Sequence, residues 1–141
     1  MVFKQILFLF SAGILLAVAN FALNPKRVAW DPAQLREGEI RLSTAFEMAA
    51  QHQIVWLDAR SQAEYAAGHI PGAFLLNEDD WDTLLFEFLN NWDGESPIVV
   101  YCGSGGCQAS HMVAARLREE LGFDEISVLH GGWGAWEEAN P

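Results

Sequence analysis

Short runs of apolar residues alternate with helix-like segments through most of this chain of 141 residues. Three of the runs are IVWL at 54–57, IVVY at 98–101 and ISVL at 126–129. Strands that are apolar along their whole length are typical of parallel sheets, in which helices connect successive strands and cover both faces. We therefore predict an α/β fold with a central parallel sheet flanked by helices on both faces. The length fits one domain with one core.

The helical segments between the runs carry capping signals. Ser43 and Ser61 are predicted to be the N-caps of two helices, because their side-chain oxygens accept hydrogen bonds from the first turn. Gly68 and Gly122 are predicted to end two helices, since glycine adopts the backbone conformation that terminates a helix at little cost.

The amino-terminal segment, residues 5–23, contains 19 residues without a charge. This is close to the ~20 residues that a helix needs to span a bilayer. A cleavable signal peptide is one interpretation, because the AVA sequence at 17–19 fits a cleavage site. An uncleaved membrane anchor is favoured, because the apolar stretch exceeds the usual core of about 7–15 residues in a signal peptide.

These observations predict an anchor or signal segment at 1–27, a linker at 28–39 and a folded domain at 40–141. Lys4 lies before the apolar segment, and Lys26 and Arg27 follow it, so the positive charges on its two sides nearly balance. A short tail before a first span usually stays in the cytoplasm. We therefore predict a single-pass protein of a bacterial inner membrane whose domain faces the periplasm.

The rest of the chain is strongly acidic. After residue 27 it contains five arginines, no lysine and all 19 acidic residues, which gives a net charge of −14. Nucleic acid is not expected as a partner, because its phosphates carry the same sign of charge. Two cysteines are too few for a disulfide scaffold or a four-cysteine zinc site, and no metal or cofactor is expected.

The stretch VVYCGSGGCQAS at 99–110 joins a predicted buried strand to a predicted helix through a glycine-rich loop. Cys102 comes directly after the strand, where backbone N–H groups and a helix amino terminus favour the thiolate form. Thiolate is the nucleophile in sulfur chemistry. A buried, inert cysteine is the alternative, but three glycines in the next four positions suit a backbone that approaches a ligand closely. The predicted active-site loop consists of Gly103, Ser104, Gly105, Gly106, Cys107 and Gln108.

Two charged residues follow another predicted strand. Asp58 and Arg60 lie at the carboxyl end of the 54–57 run, as Cys102 lies at the carboxyl end of 98–101. Ligands of open parallel sheets bind outside the carboxyl ends of the strands. We therefore expect these three side chains to converge on one site.

The sequence resembles a single-domain rhodanese, a sulfurtransferase, here with a membrane anchor. The resemblance covers roughly residues 40–139 and depends on LDAR at 57–60, EYAAGHIPGA at 64–73, VVYC at 99–102 and LHGGWGAW at 129–136. It implies that Cys102 takes a sulfane sulfur as a persulfide and passes it to a thiol acceptor or partner protein. It also implies that Asp58 and Arg60 support the loop and that His69 belongs to a structural turn.

The loop departs from the common pattern of this family. Cys107 stands where single-domain rhodaneses usually have an arginine, and the next arginine is Arg116. Without that cation, thiosulfate is a less suitable donor than a small or neutral donor or a protein persulfide, and phosphatase chemistry lacks its phosphate clamp. Cys107 is a candidate resolving thiol that attacks the persulfide and leaves a disulfide. Its alternative role is packing at the start of the helix.

Three functions from different classes remain open at this point. The first is a sulfurtransferase that uses a Cys102 persulfide. The second is a redox protein in which Cys102 and Cys107 alternate between dithiol and disulfide. The third is a non-catalytic rhodanese-like binding module, which the presence of Cys102 disfavours. A metal site formed by Cys102, Cys107 and His111 is a weaker hypothesis than persulfide chemistry.

Overall fold

The computed structural model describes residues 34–104 and 108–140. Within these ranges the strands are β1 Glu39–Ile40, β2 Val55–Asp58, β3 Phe74–Leu75, β4 Ile98–Tyr101 and β5 Ile126–Leu129. The helices are α1 Leu42–Gln51, α2 Gln62–Ala67, α3 Trp81–Asn91, α4 Gln108–Leu121 and α5 Gly132–Ala139.

The described strands form one sheet in the order β1-β5-β4-β2-β3, and every neighbouring pair is parallel. The predicted central parallel sheet is therefore confirmed. In the register of β2 and β4, Asp58 lies opposite Tyr101. The carboxyl ends of these strands consequently meet at one edge of the sheet, and Cys102 follows directly.

Side chains of β4 point alternately to two buried layers. Ile98 and Val100 belong to a core with Phe88 of α3 and Leu117 of α4. Val99 and Tyr101 belong to a second core that also contains, among others, Ile70, Leu129, Leu42 and Trp136. All four residues of β4 are fully buried, as expected for a central strand covered on both faces. The predicted helices on both faces are confirmed.

The predicted helix boundaries are confirmed in part. Ser61 caps α2 in a reciprocal arrangement with Glu64, and Gly68 ends that helix. The prediction for Ser43 is wrong, because the N-cap of α1 is Arg41 and Ser43 lies inside the first turn. The chain is still extended at Arg41 immediately after β1, so the helix begins one residue after it, before Ser43 is reached.

The predicted membrane segment at 5–23 lies outside the described residues. Among the helices of 34–104 and 108–140, none combines the length and apolar character needed to cross a bilayer. Glu39, the last residue of the predicted linker, pairs with Val128 as the first residue of β1.

The turn between β5 and α5 packs directly against the chain that follows β4. The backbone of Gly132 has a φ of +54°, and a Cβ atom there would lie 2.1 Å from the carbonyl oxygen of Cys102. The N–H of Trp133 donates a hydrogen bond to that same oxygen at 2.7 Å, and the N–H of Gly134 donates to the Gly103 carbonyl at 3.2 Å. A glycine is needed at 132 both for the backbone conformation and for this close approach.

We predict that Gly132→Ala lowers the free energy of unfolding by at least about 2 kcal/mol, because left-handed strain adds to a clash with Cys102. The matched control is Gly72→Ala: Gly72 has a φ of +80°, but nothing lies within 4 Å of the added Cβ. Its cost should be confined to about 1–2 kcal/mol of strain. Urea unfolding measures both variants, and equal losses would show that the contact with Cys102 is unimportant.

Candidate active site

Cys102 is buried at the carboxyl end of β4. Cys102 is 3% exposed and belongs to the hydrophobic core that includes residues of α3 and α4. The hydroxyl of Ser110, on the first turn of α4, donates to Cys102 Sγ at 3.5 Å. The carbonyl oxygen of Ser104 lies 3.7 Å from the same sulfur. The strand end and the start of α4 together therefore fix the position of the sulfur.

Cys102 is half of a disulfide in this structure. The sequence contains one other cysteine, Cys107. Cys107, Gly105 and Gly106 of the predicted loop lie outside the described residues, whereas Gly103, Ser104 and Gln108 lie inside them.

Asp58 and Arg60 form a buried ion pair at the end of β2. Asp58 is fully buried, and its carboxylate accepts hydrogen bonds from the Arg60 backbone N–H at 2.9 Å and from the Arg60 Nη2 group at 2.6 Å. Arg60 also donates to the carbonyl of Gly68 at 2.6 Å. Burial lowers the pKa of Arg60, but the hydrogen bonds and charge of Asp58 outweigh this and raise it above its ordinary value. The guanidinium is thus permanently charged and already paired.

The Arg60 side chain also connects the strand ends with α5. Its guanidinium carbon lies 4.6 Å from the ring centre of Trp133 and 5.7 Å from that of Tyr101, both within the range of cation–π attraction. A Cβ atom built on Gly103 would lie 3.9 Å from Arg60 Cδ. The structure therefore places Asp58 and Arg60 beside the segment that follows Cys102. Their charges are paired with each other rather than directed at the Cys102 sulfur.

A negative charge lies beside the same loop. Oε1 of Glu64 is 3.9 Å from a Cβ atom built on Gly103. Hydrogen bonds from the Ser61 hydroxyl and backbone N–H lower the pKa of the Glu64 carboxyl, so it is ionised at neutral pH. The negative charge of Glu64, a residue of α2, therefore lies beside Gly103 at the start of the loop.

The turn formed by GHIPGA at 68–73 is fixed by contacts with Tyr65 of α2 and Tyr101 of β4. The ring of His69 stacks on Tyr65 with centres 3.9 Å apart, and its Nδ1 lies 2.9 Å from the Tyr65 carbonyl oxygen. The Ile70 N–H donates to the hydroxyl oxygen of Tyr101 at 3.1 Å. Burial raises the pKa of Tyr101 well above its usual range, so the hydroxyl remains protonated. These contacts agree with a structural role for the turn.

The sequence analysis did not identify Ser110 or Trp133 as neighbours of Cys102. Ser110 could have been found, because it falls in the first turn of the helix that begins after the loop. The contact of Trp133 joins two elements that are distant in the sequence, and no local pattern marks it. His111, which was considered as a metal ligand, instead lies 2.9 Å from Glu39. Among the residues described, no group of three or more His, Cys, Asp or Glu side chains is placed to hold a metal ion.

We predict that Asp58→Asn lowers the free energy of unfolding by about 3 kcal/mol, because it leaves the guanidinium of Arg60 uncompensated in a buried position. The matched control is Glu78→Gln, which breaks the half-exposed pair of Glu78 with Arg116. That change should cost less than about 1 kcal/mol. Urea denaturation of the two variants tests this, and a loss at Asp58 as small as that at Glu78 would contradict a structural role for the pair.

The model of the family described as "Rhodanese-like domain" matches residues 43–139. Thiosulfate sulfurtransferase GlpE of Shewanella oneidensis is 36% identical over 94 residues, covering 67% of this chain and 86% of the relative. Its namesake from Pseudoalteromonas translucida is 30% identical over 100 residues, covering 71% and 89%. The solution structure of a rhodanese-like domain from Anabaena superposes with a TM-score of 0.57 at 26% identity, covering 74% of this chain and 76% of that one.

The matched region contains all the secondary structure from the first turn of α1 to the end of α5. The resemblance of the sequence motifs to a rhodanese is thereby confirmed, whereas the membrane anchor expected with it lies outside the matched residues. The expected class of enzyme, a rhodanese-type sulfurtransferase, is the class for which both bacterial relatives are named. This chain belongs to the rhodanese-like domain family.

Proposed function

We propose that the protein is a sulfurtransferase that carries sulfane sulfur as a persulfide on Cys102 and passes it to a thiol acceptor. The observation that carries this proposal is the position of the Cys102 sulfur. It lies at the end of the central strand and accepts a hydrogen bond from Ser110 at 3.5 Å. A hydroxyl donor at that distance stabilises a thiolate, which is the reactive form of cysteine.

The first step is attack of the Cys102 thiolate on the outer sulfur of a donor. A bond forms between the two sulfurs, and the bond between the outer sulfur and the rest of the donor breaks. The donor leaves with that electron pair, as a thiolate from a hydropersulfide or as sulfite from thiosulfate. No external oxidant is needed, because the transferred sulfur arrives at the oxidation level of a persulfide.

The second step releases the sulfur. An acceptor thiolate attacks the outer sulfur, and Cys102 leaves as a thiolate, ready for another cycle. Cys107 provides a competing route: its thiolate attacks Cys102 Sγ, the outer sulfur departs as sulfide, and a disulfide remains. Cys107 is five residues after Cys102 in the sequence, and this short spacing is the reason to propose it as the resolving thiol.

The charges near the loop favour donors that carry no net negative charge. The Arg60 guanidinium is occupied by Asp58, the Gly68 carbonyl and the face of Trp133. The Glu64 carboxylate lies beside Gly103. An anion such as thiosulfate therefore approaches a carboxylate rather than an available cation, although relatives of this chain are named for thiosulfate.

We predict that Cys102→Ser abolishes sulfur transfer to dithiothreitol, because an alcohol at this position does not form a persulfide. In the unaltered chain, cysteamine hydropersulfide should react roughly tenfold faster than thiosulfate, since its amine cancels its own negative charge. Glu64→Gln keeps a side chain that caps α2 and should narrow this difference. Measured rates of sulfide release test all three statements. Transfer by the Cys102→Ser chain, or faster use of thiosulfate by the unaltered chain, would contradict them.

We predict that Cys107→Ala accumulates the persulfide. With one equivalent of donor and no acceptor, the unaltered chain should release sulfide, lose two thiols together and end as a disulfide. The Cys107→Ala chain should instead keep the added sulfur, because it has no second thiol to displace it. Intact mass against time distinguishes these products. Equal persulfide lifetimes in the two chains would assign Cys107 to packing alone.

We also propose that residues 5–23 anchor the domain in a bacterial inner membrane, with the domain on the periplasmic side. The support is the absence of charge over 19 residues. After expression in a bacterium, the full chain should stay in the membrane pellet after alkaline carbonate extraction. Protease added to spheroplasts should digest its domain. Extraction into the soluble fraction, or protection from the protease, would contradict the anchor or its orientation respectively.

A further inference from the structure

Glu39 lies between two histidines at the end of the sheet where Cys102 is found. Its carboxylate oxygen Oε1 is 2.9 Å from His111 Nε2, and Oε2 is 2.9 Å from His130 Nδ1. Oε2 also accepts a hydrogen bond from the Arg36 backbone N–H at 2.9 Å. The Glu39 side chain is 6% exposed, whereas those of the histidines are about one quarter exposed. One buried carboxylate thus joins β1, α4 and the end of β5.

His111 is the member of this cluster that lies next to a hydrogen-bond donor to the Cys102 sulfur. His111 directly follows Ser110, the buried residue whose hydroxyl donates to Cys102 Sγ. Both residues lie in the first turns of α4, so the contact of His111 with Glu39 restrains the position of the Ser110 hydroxyl. A displacement of this turn would misalign the hydrogen bond to the sulfur.

His130 precedes the turn that is hydrogen-bonded to the backbone of Cys102. His130 follows β5, and its own N–H donates to the Ile40 carbonyl at 2.9 Å. Two residues later Gly132 packs against the Cys102 carbonyl, and the Trp133 N–H donates to it at 2.7 Å. The contact of His130 with Glu39 therefore restrains the turn at Gly132 and Trp133, which is hydrogen-bonded to the backbone carbonyl of Cys102.

The Glu39 carboxylate is ionised at every working pH. Burial raises its pKa, but hydrogen bonds from Arg36, His130 and His111 outweigh burial and lower it to about 2. A neutral histidine suffices for each contact, because the nitrogen that faces Glu39 carries the proton in one of its two tautomers.

We propose that Glu39, His111 and His130 are positioning residues that align the two chain segments on either side of Cys102 and thereby set the reactivity of its sulfur. This proposal rests on the assignment of Cys102 as the reacting group. It does not require that sulfur transfer be the reaction.

The test is the rate at which reduced Cys102 reacts with iodoacetamide at pH 7.5, followed by intact mass. The full-length chain with Cys107→Ala is used, so that one thiol remains. His111→Ala and His130→Ala should each slow alkylation roughly fivefold, the effect of losing one aligned hydrogen bond. His111→Gln and His130→Asn place an amide N–H near the lost ring nitrogen and should restore the rate to within about twofold of the parent. The matched control is His52→Ala, at an exposed histidine after α1.

A double-mutant cycle tests whether both histidines act through the carboxylate. Glu39→Ala should slow alkylation as the histidine variants do, and adding His111→Ala to it should have little further effect. Thermal midpoints of the variants confirm that each chain is folded. Unchanged or faster alkylation in both alanine variants, or equal slowing by alanine and amide replacements, would overturn the proposal. If alkylation follows the prediction but neither donor yields a persulfide, the positioning role stands and the proposed sulfurtransferase function fails.

Discussion

The hydrogen bond from the Trp133 N–H to the Cys102 carbonyl is the contact on which the candidate site depends. It forms because Gly132 has no side chain, so the turn after β5 approaches the chain after β4 to within ordinary hydrogen-bond distance. The parallel sheet makes this possible, since β4 and β5 are neighbours and end at the same edge. The backbone of Cys102 is therefore fixed by the turn after β5 through the hydrogen bond from Trp133.

The same edge of the sheet contains several charges, but their pairing decides what they contribute. The carboxylate of Asp58 and the guanidinium of Arg60 neutralise each other in a buried position. Removal of one partner would strongly destabilise the site, because the other charge would be left buried and unpaired. The intact pair, however, provides little attraction for an anion outside it. Among the described residues, the Glu64 carboxylate lies beside Gly103 at the start of the loop. This arrangement supports the proposal that the preferred sulfur donor carries no net negative charge.

Local patterns in the sequence were sufficient for β2, β4 and β5 and for the position of Cys102, but not for β1, because Glu39 was assigned to the linker. The runs at 54–57, 98–101 and 126–129 correspond to β2 Val55–Asp58, β4 and β5, because most of their residues are apolar. Ser61 became an N-cap because Glu64 follows at the right spacing. Ser43 was misassigned because the extended chain at Arg41 determined where α1 begins. The cluster of Glu39, His111 and His130 could not be predicted, since its members are far apart in the sequence and meet only when β1 pairs with β5. The role of Cys107 remains a prediction.

Peptide-level mass spectrometry shows which residue of the chain carries the transferred sulfur. The full-length chain carrying Cys107→Ala is incubated with one equivalent of cysteamine hydropersulfide, and its sulfur content is mapped. We expect one added sulfur atom on Cys102 and none when Cys102→Ser is also present. Absence of added sulfur from Cys102, or the same amount of added sulfur in the chain without that thiol, would contradict the assignment of Cys102 as the persulfide carrier.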